Sequence, residues 1–136
     1  AVIYTAFESI SISSDATQDL WSLMAPSDRR LRLLGFEITS STLTATLLAL
    51  TLQHINAVGS AGSTAIEVDA DSGSEETIVG SVRTGDTTPG TADGELMAWE
   101  WEQVGPVGHI WTPEMAPRIA LSHGIALNAE QLLHLR

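Results

Sequence analysis

Glu100 and Glu102 stand two residues apart, and an extended chain would turn both away from Met97, Trp99 and Trp101. Paired carboxylates beside tryptophan are the equipment of a glycoside-cleaving cleft. A half-buried strand with a polar outer face explains the same residues more simply, and that is the reading adopted. The histidines, His54, His109, His123 and His134, are scattered, and none stands at metal-ligand spacing from another ligand. His109 alternates with Val107 and Trp111, which suits a partly buried strand position. Asp69-Ala-Asp71-Ser-Gly73 begins like a calcium loop, but its glycine comes one position early and Gly80 stands where a glutamate is needed. It reads as a solvated acidic loop. Gly59-Ser60-Ala61-Gly62-Ser63 is neither a nucleophile elbow nor a phosphate loop, and reads as a flexible tip. The chain has no cysteine, so thiolate chemistry and disulfide staples are excluded. No catalytic constellation, metal site or cofactor motif emerges, and the expectation is a protein that is not an enzyme.

Charge narrows the partners. Six arginines and no lysine face seventeen carboxylates, for a net charge of −11. Between Glu67 and Glu102 ten carboxylates accompany the single Arg83, so this stretch holds −9 of that total. Such a surface repels nucleic acid and anionic lipid. No apolar run approaches a membrane span, and AVIYTAFESISI lacks the basic start and cleavage site of a secretory signal. Arg29, Arg30 and Arg32 form the one basic cluster. It can pair with Asp28 and Glu37, or with the acidic segment of a neighbouring copy, an arrangement suited to a homo-oligomer.

These residues need strands to position them. From Glu95 to Trp111 apolar and polar residues alternate, with a break at Gly105-Pro106, which predicts a hairpin. Val2 to Ser13 and Thr17 to Met24 read as strands, the second with Asp19, Trp21 and Leu23 on one face. Arg29 to Thr39 reads as a strand whose inward set passes from Leu31 and Leu33 to Leu34, Phe36 and Ile38 through a bulge near Gly35. Thr42 to Gln53 reads as a central strand, its threonines outweighing the helix preference of its leucines. His54 to Ser74 reads as a long loop with a short strand near Thr64 to Val68, Glu75 to Arg83 as a strand, and Thr84 to Gly94 as a second loop. Arg118 to Ser122 and Gln131 to Arg136 are the last strands, separated by His123 to Glu130. About eight short strands at this spacing predict an all-β antiparallel sandwich. One domain, 1–136, contains it, with Trp21, Phe36, Trp99, Trp101 and Trp111 anchoring the core.

The order of pieces resembles small jelly-roll proteins from the head-gene regions of tailed phages, many of them capsid decoration or other minor virion proteins. The pieces are ISISSDATQDLWSL, APSDRRLRLLGFEI, a Thr/Leu strand, a Gly/Ser/Ala loop, a Trp-containing hairpin and GIALNAEQLLHLR. Proteins of this kind usually add a strand after the piece matching LLHLR, where this chain stops. The resemblance implies a jelly-roll-like sandwich on the capsid surface of the virion, bound to the major capsid protein as a homotrimer and stabilising the shell. It implies no cofactor, no nucleic-acid partner and no membrane partner. Arg29, Arg30, Arg32, Glu100 and Glu102 are the candidate subunit or capsid contacts. The alternative is a receptor- or glycan-binding knob of a fibre or tail, and a metal-dependent cupin-like enzyme is a more distant one.

Overall fold

Leu48, Leu50 and Leu52 alternate with Leu47, Ala49 and Thr51, and the first three are fully buried while the second three are half-buried. A strand in mid-sheet needs this pattern, with one face in the core and the other only partly covered. The computed structural model describes residues 3–9, 17–38, 46–71, 73, 78, 80–103, 109–111 and 120–131. Of Thr46, Glu102, Gln103, His109, Ile110, Trp111, Ala120 and Gln131 it describes only the backbone. Among the described residues all regular structure is strand. In chain order these are β1 (Tyr4–Ala6), β2 (Gln18–Met24), β3 (Leu31–Arg32), β4 (Phe36–Ile38), β5 (Thr46–Ala57) and β6 (Ser63–Thr64). There follow β7 (Glu67–Asp69), β8 (Ser81–Asp86), β9 (Thr91–Gln103), β10 (His109–Trp111), β11 (Ala120–Leu121) and β12 (Gly124–Gln131).

Six strands form one antiparallel sheet in the order β6-β8-β2-β12-β5-β9. Three short antiparallel pairs, β1 with β7, β4 with β10 and β3 with β11, supply the facing material. The result is an antiparallel β-sandwich. Its core lies on the sheet face carrying Leu48, Leu50, Leu52, Ile125 and Leu127. Tyr4, Leu31, Phe36 and Ile38 from the short pairs pack against that cluster. Trp21 and Phe36 tie the layers together, with ring centroids 5.2 Å apart and planes tilted by 57°. Each fully buried leucine contributes roughly 2 kcal/mol of apolar burial.

The tryptophans of β9 sit over this core. Leu48 pairs with Trp101, Leu50 with Trp99 and Leu52 with Met97, so the indoles share a face with the buried leucines. Trp21, Phe36, Trp99 and Trp101 are all half-buried against the cluster. Glu100 pairs with Ala49 on the opposite face and is exposed. The side chains of Glu102 and Trp111 lie outside the described residues.

Several sequence expectations are corrected here. The Trp stretch is no hairpin: β9 pairs with β5, and β10 crosses to pair with β4. Period-two alternation shows that a strand has one buried face and says nothing about its partner. His123 to Glu130, expected as a separator, contains most of β12, which lies between β2 and β5. Its Gly, Ala, Asn and Glu are poor strand formers, and burial of Ile125, Leu127 and Ala129 outweighs that preference. The long loops are shorter than expected, because β5 runs to Ala57 and β8 to Asp86. Leu34 is 45% exposed and is not part of the inward set, which resumes at Phe36.

Leu50→Ala and Trp99→Ala should each cost about 3 kcal/mol in a urea melt, the first through a buried cavity and the second through lost cover of the core. Glu100→Ala should stay within about 0.5 kcal/mol of the parent. A reversed ranking would contradict the placement of the two faces of β9.

Candidate functional site at a carboxylate-pinned bend

The segments 46–64 and 81–103 run beside each other as one long ribbon. Ala57 pairs with Thr91, Ser60 bridges Thr88, and Ser63 pairs with Thr84, all antiparallel and in nearly unbroken register. Yet β5 pairs with β12 while β8 pairs with β2, three places along the same sheet. The ribbon must therefore fold back on itself between those positions. Residues 58–62 and 87–90 make the bend. There the ladder thins to the single Ser60–Thr88 bridge, and the Gly62 and Gly90 N–H groups need other acceptors.

Two buried carboxylates supply them. Asp19 Oδ2 accepts a hydrogen bond from the Gly90 N–H at 2.8 Å, and Asp86 Oδ1 accepts one from the Gly62 N–H at 2.9 Å. Each residue is only 1% exposed, and the two are register partners on β2 and β8. Asn128 Nδ2 donates to Asp19 Oδ1 at 3.1 Å. Arg83 grips Asp86 with two bonds, from Nε at 3.0 Å and from Nη2 at 2.8 Å. Gln18 Nε2 adds a bond to the Gly85 carbonyl at 3.2 Å. Thr51, Asn128, Asp19 and Asp86 thus form one row across β5, β12, β2 and β8.

Irregular backbone makes the row possible. Between Leu127 and Asn128 the register with β2 slips, leaving Leu20 as an extra residue. Simple alternation puts Asp19 with Trp21 and Leu23; the bulge turns it instead toward Asn128. On β8, Gly85 takes a positive φ of 68°, which lets Asp86 reach the side used by Arg83. The expected flexible tip is pinned. A Cβ on Gly62 would press on the Thr84 carbonyl and the Asp86 carboxylate, so only glycine fits there. Ala61 beside it holds the left-handed conformation, φ 71°, at a cost on the order of 1 kcal/mol.

Burial pushes the Asp19 carboxyl above the ordinary aspartate range; the bonds from Gly90 and Asn128 oppose this, and the negative charge of Asp86 adds to it. The hydrogen bond to Asp86 raises the Arg83 guanidinium further, against a smaller effect of burial. All these polar atoms serve to hold backbone and neighbouring side chains. The arrangement presets the shape of two loops.

A second place brings together residues that the sequence scatters. His54, Asp93, Ser122 and His123 line a shallow cleft of about 200 Å³ with Ile55 and Gly124. A bulge in β9 at Asp93-Gly94, where Gly94 has φ 120°, lies opposite His54. Asp93, Ser122 and His123 are exposed, and among the described residues no three His or carboxylate groups converge as a metal cage. Asp69 and Asp71 form a local turn instead of a cation loop, with Asp69 Oδ1 accepting the Asp71 N–H at 2.7 Å. Arg29, Arg30, Arg32 and Glu100 are exposed and lie apart from the bend. His134 and the side chain of His109 lie outside the described residues.

Asp19, Asp86 and Asn128 went unnoticed as a group because they are far apart in sequence. The available signal was an aspartate, Asp19, beside the apolar residues Leu20, Trp21 and Leu23 of a predicted strand. Compared with models of protein families, with curated proteins and with solved structures, the chain matches none.

Asp86→Ala strands the Gly62 N–H and the partly exposed Arg83, and should cost about 2 kcal/mol in a urea melt. Asp19→Asn keeps an acceptor but removes the ionisation. The folded Asp19 pKa lies above its unfolded value of about 3.9, so its contribution to stability is complete below that pH and fades as pH rises through the folded value. The stability of the parent relative to Asp19→Asn should therefore fall over that interval and level off above it. Asp86 and the Arg83 bonded to it, unchanged in both proteins, are the charged groups beside Asp19 among the described residues. A parent advantage that grows with pH would contradict the assignment.

Proposed function

We propose that this chain is a structural virion protein that binds the outside of a tailed-phage capsid and stabilises it, without catalysis. The observation that carries the reading is the pinned bend. Its buried carboxylates hold loops 58–62 and 87–90 in one shape, as a protein that binds by preformed surface complementarity requires. The sandwich supplies a stiff body, and the net charge of −11 keeps it off nucleic acid. The sequence resemblance supplies the capsid as partner and a homotrimer as the assembly. Many copies on one shell then add avidity to individually modest contacts. The described tryptophans, Trp21, Trp99 and Trp101, pack on the core, which gives a sugar-stacking knob less support.

Quantitative mass spectrometry of purified particles of the phage that carries this gene should find the chain at hundreds of copies per virion. A few copies would move it to the tail or a fibre, and its absence from particles would overturn the reading.

A further inference from the structure

The β1–β7 ribbon is inside out. Thr5 pairs with Val68, so Ile3, Thr5, Phe7, Ile66 and Val68 share one side. That side faces water: Phe7 is 87% exposed, Ile66 78%, Val68 58% and Ile3 55%. The other side carries Tyr4 and Glu67, and it is fastened to the body. Glu67 Oε1 accepts the Val82 N–H of β8 at 3.1 Å. Tyr4 packs against the core, and burial, followed by the charge of Glu67, pushes its hydroxyl above the usual range. The Ala70 N–H donates to the Ile3 carbonyl at 2.8 Å and closes the ribbon's end. The apolar side therefore cannot simply roll inward. It presents roughly 500 Å² of mostly apolar residues, a patch of the size that marks interaction surfaces.

This chain carries a matching surface. Arg29 and Arg30 are exposed at the turn before β3, with Arg32 and the 45% exposed Leu34 following. Among the described residues Arg29 and Arg30 make no ion pair. The ribbon's rim is acidic instead, with Glu8 and Asp71 exposed at its ends. Apolar ribbon with acidic rim fits apolar Leu34 with basic rim. The ribbon alone covers more than half of the roughly 800 Å² per partner that a stable interface needs.

We propose that the exposed face of the β1–β7 ribbon docks on the Arg29–Arg30–Leu34 corner of a second copy of this chain. The contact joins unlike patches, so it can repeat head to tail around a closed ring. It does not depend on the capsid reading.

Sedimentation velocity of the full chain tests it. The parent should assemble, and Phe7→Asp with Ile66→Asp, or Arg29→Glu with Arg30→Glu, should weaken assembly at least about tenfold. All substituted groups are exposed, so thermal melts should stay unchanged. An equimolar mixture of the two variants keeps one intact ribbon and one intact corner, and should give a heterodimer that stops there. Because the chain has no cysteine, Phe7→Cys with Leu34→Cys provides an independent measure. Oxidation of that variant should give disulfide-linked chains, even if an aspartate variant fails to fold. A monomeric parent, together with a Phe7→Cys with Leu34→Cys variant that forms no cross-link, overturns the proposal, and loss of capsid binding by the ribbon variant of such a monomer would assign the face to the capsid protein. Variants that assemble like the parent overturn it as well.

Discussion

Two aspartates buried side by side under a folded-back ribbon are the constraint on which this structure depends. Asp19 and Asp86 are register partners and nearly inaccessible to water. Taking one carboxylate out of water costs several kcal/mol, and two neighbours add mutual repulsion. The fold offsets this with donors on every side. Asp86 receives a two-bond guanidinium grip and a backbone N–H, while Asp19 receives a backbone N–H and the Asn128 amide. The repulsion and desolvation that remain appear as the raised Asp19 pKa.

The bend sets the topology. Without it, segments 46–64 and 81–103 would form a long isolated ribbon. With it, one end of that ribbon extends the sheet beyond β12 and the other extends it beyond β2. The leucines of β5 then meet β12 on one side and the tryptophans of β9 on the other. Local features serve the same end: an extra residue at Leu20, a left-handed Gly85 and a glycine at 62 that leaves room for the Asp86 carboxylate. Polar chemistry at the bend and apolar packing over the leucines are therefore two parts of one arrangement.

The outside of the molecule divides by character. Acid predominates over the stretch from Glu67 to Glu102, Arg29, Arg30 and Arg32 cluster at β3, and the β1–β7 ribbon turns apolar residues to water. That ribbon, with its polar side anchored and its apolar side free, is the surface proposed to dock on a second copy. Together with the fixed loops it supports the proposed role of holding other molecules in place.

By itself the sequence determined that the chain is all-β and antiparallel, that its Thr/Leu stretch is an interior strand, and that Trp99 and Trp101 lie opposite Glu100. Those properties follow from alternation, which is local. It also revealed the charge asymmetry and the lack of thiol chemistry, which are matters of composition. Strand partners were beyond it: β9 turned to β5, and the stretch from Gly124 to Gln131 became an interior strand. Pairing is decided by which apolar faces can be buried together, a property of the whole chain. The site at the bend was equally hidden. Asp19 and Asp86 are separated by much of the chain, and one bulge reverses the side that alternation assigns to Asp19. Only tertiary structure could decide this, because buried carboxylates persist where distant donors, Gly90, Gly62, Arg83 and Asn128, converge on them.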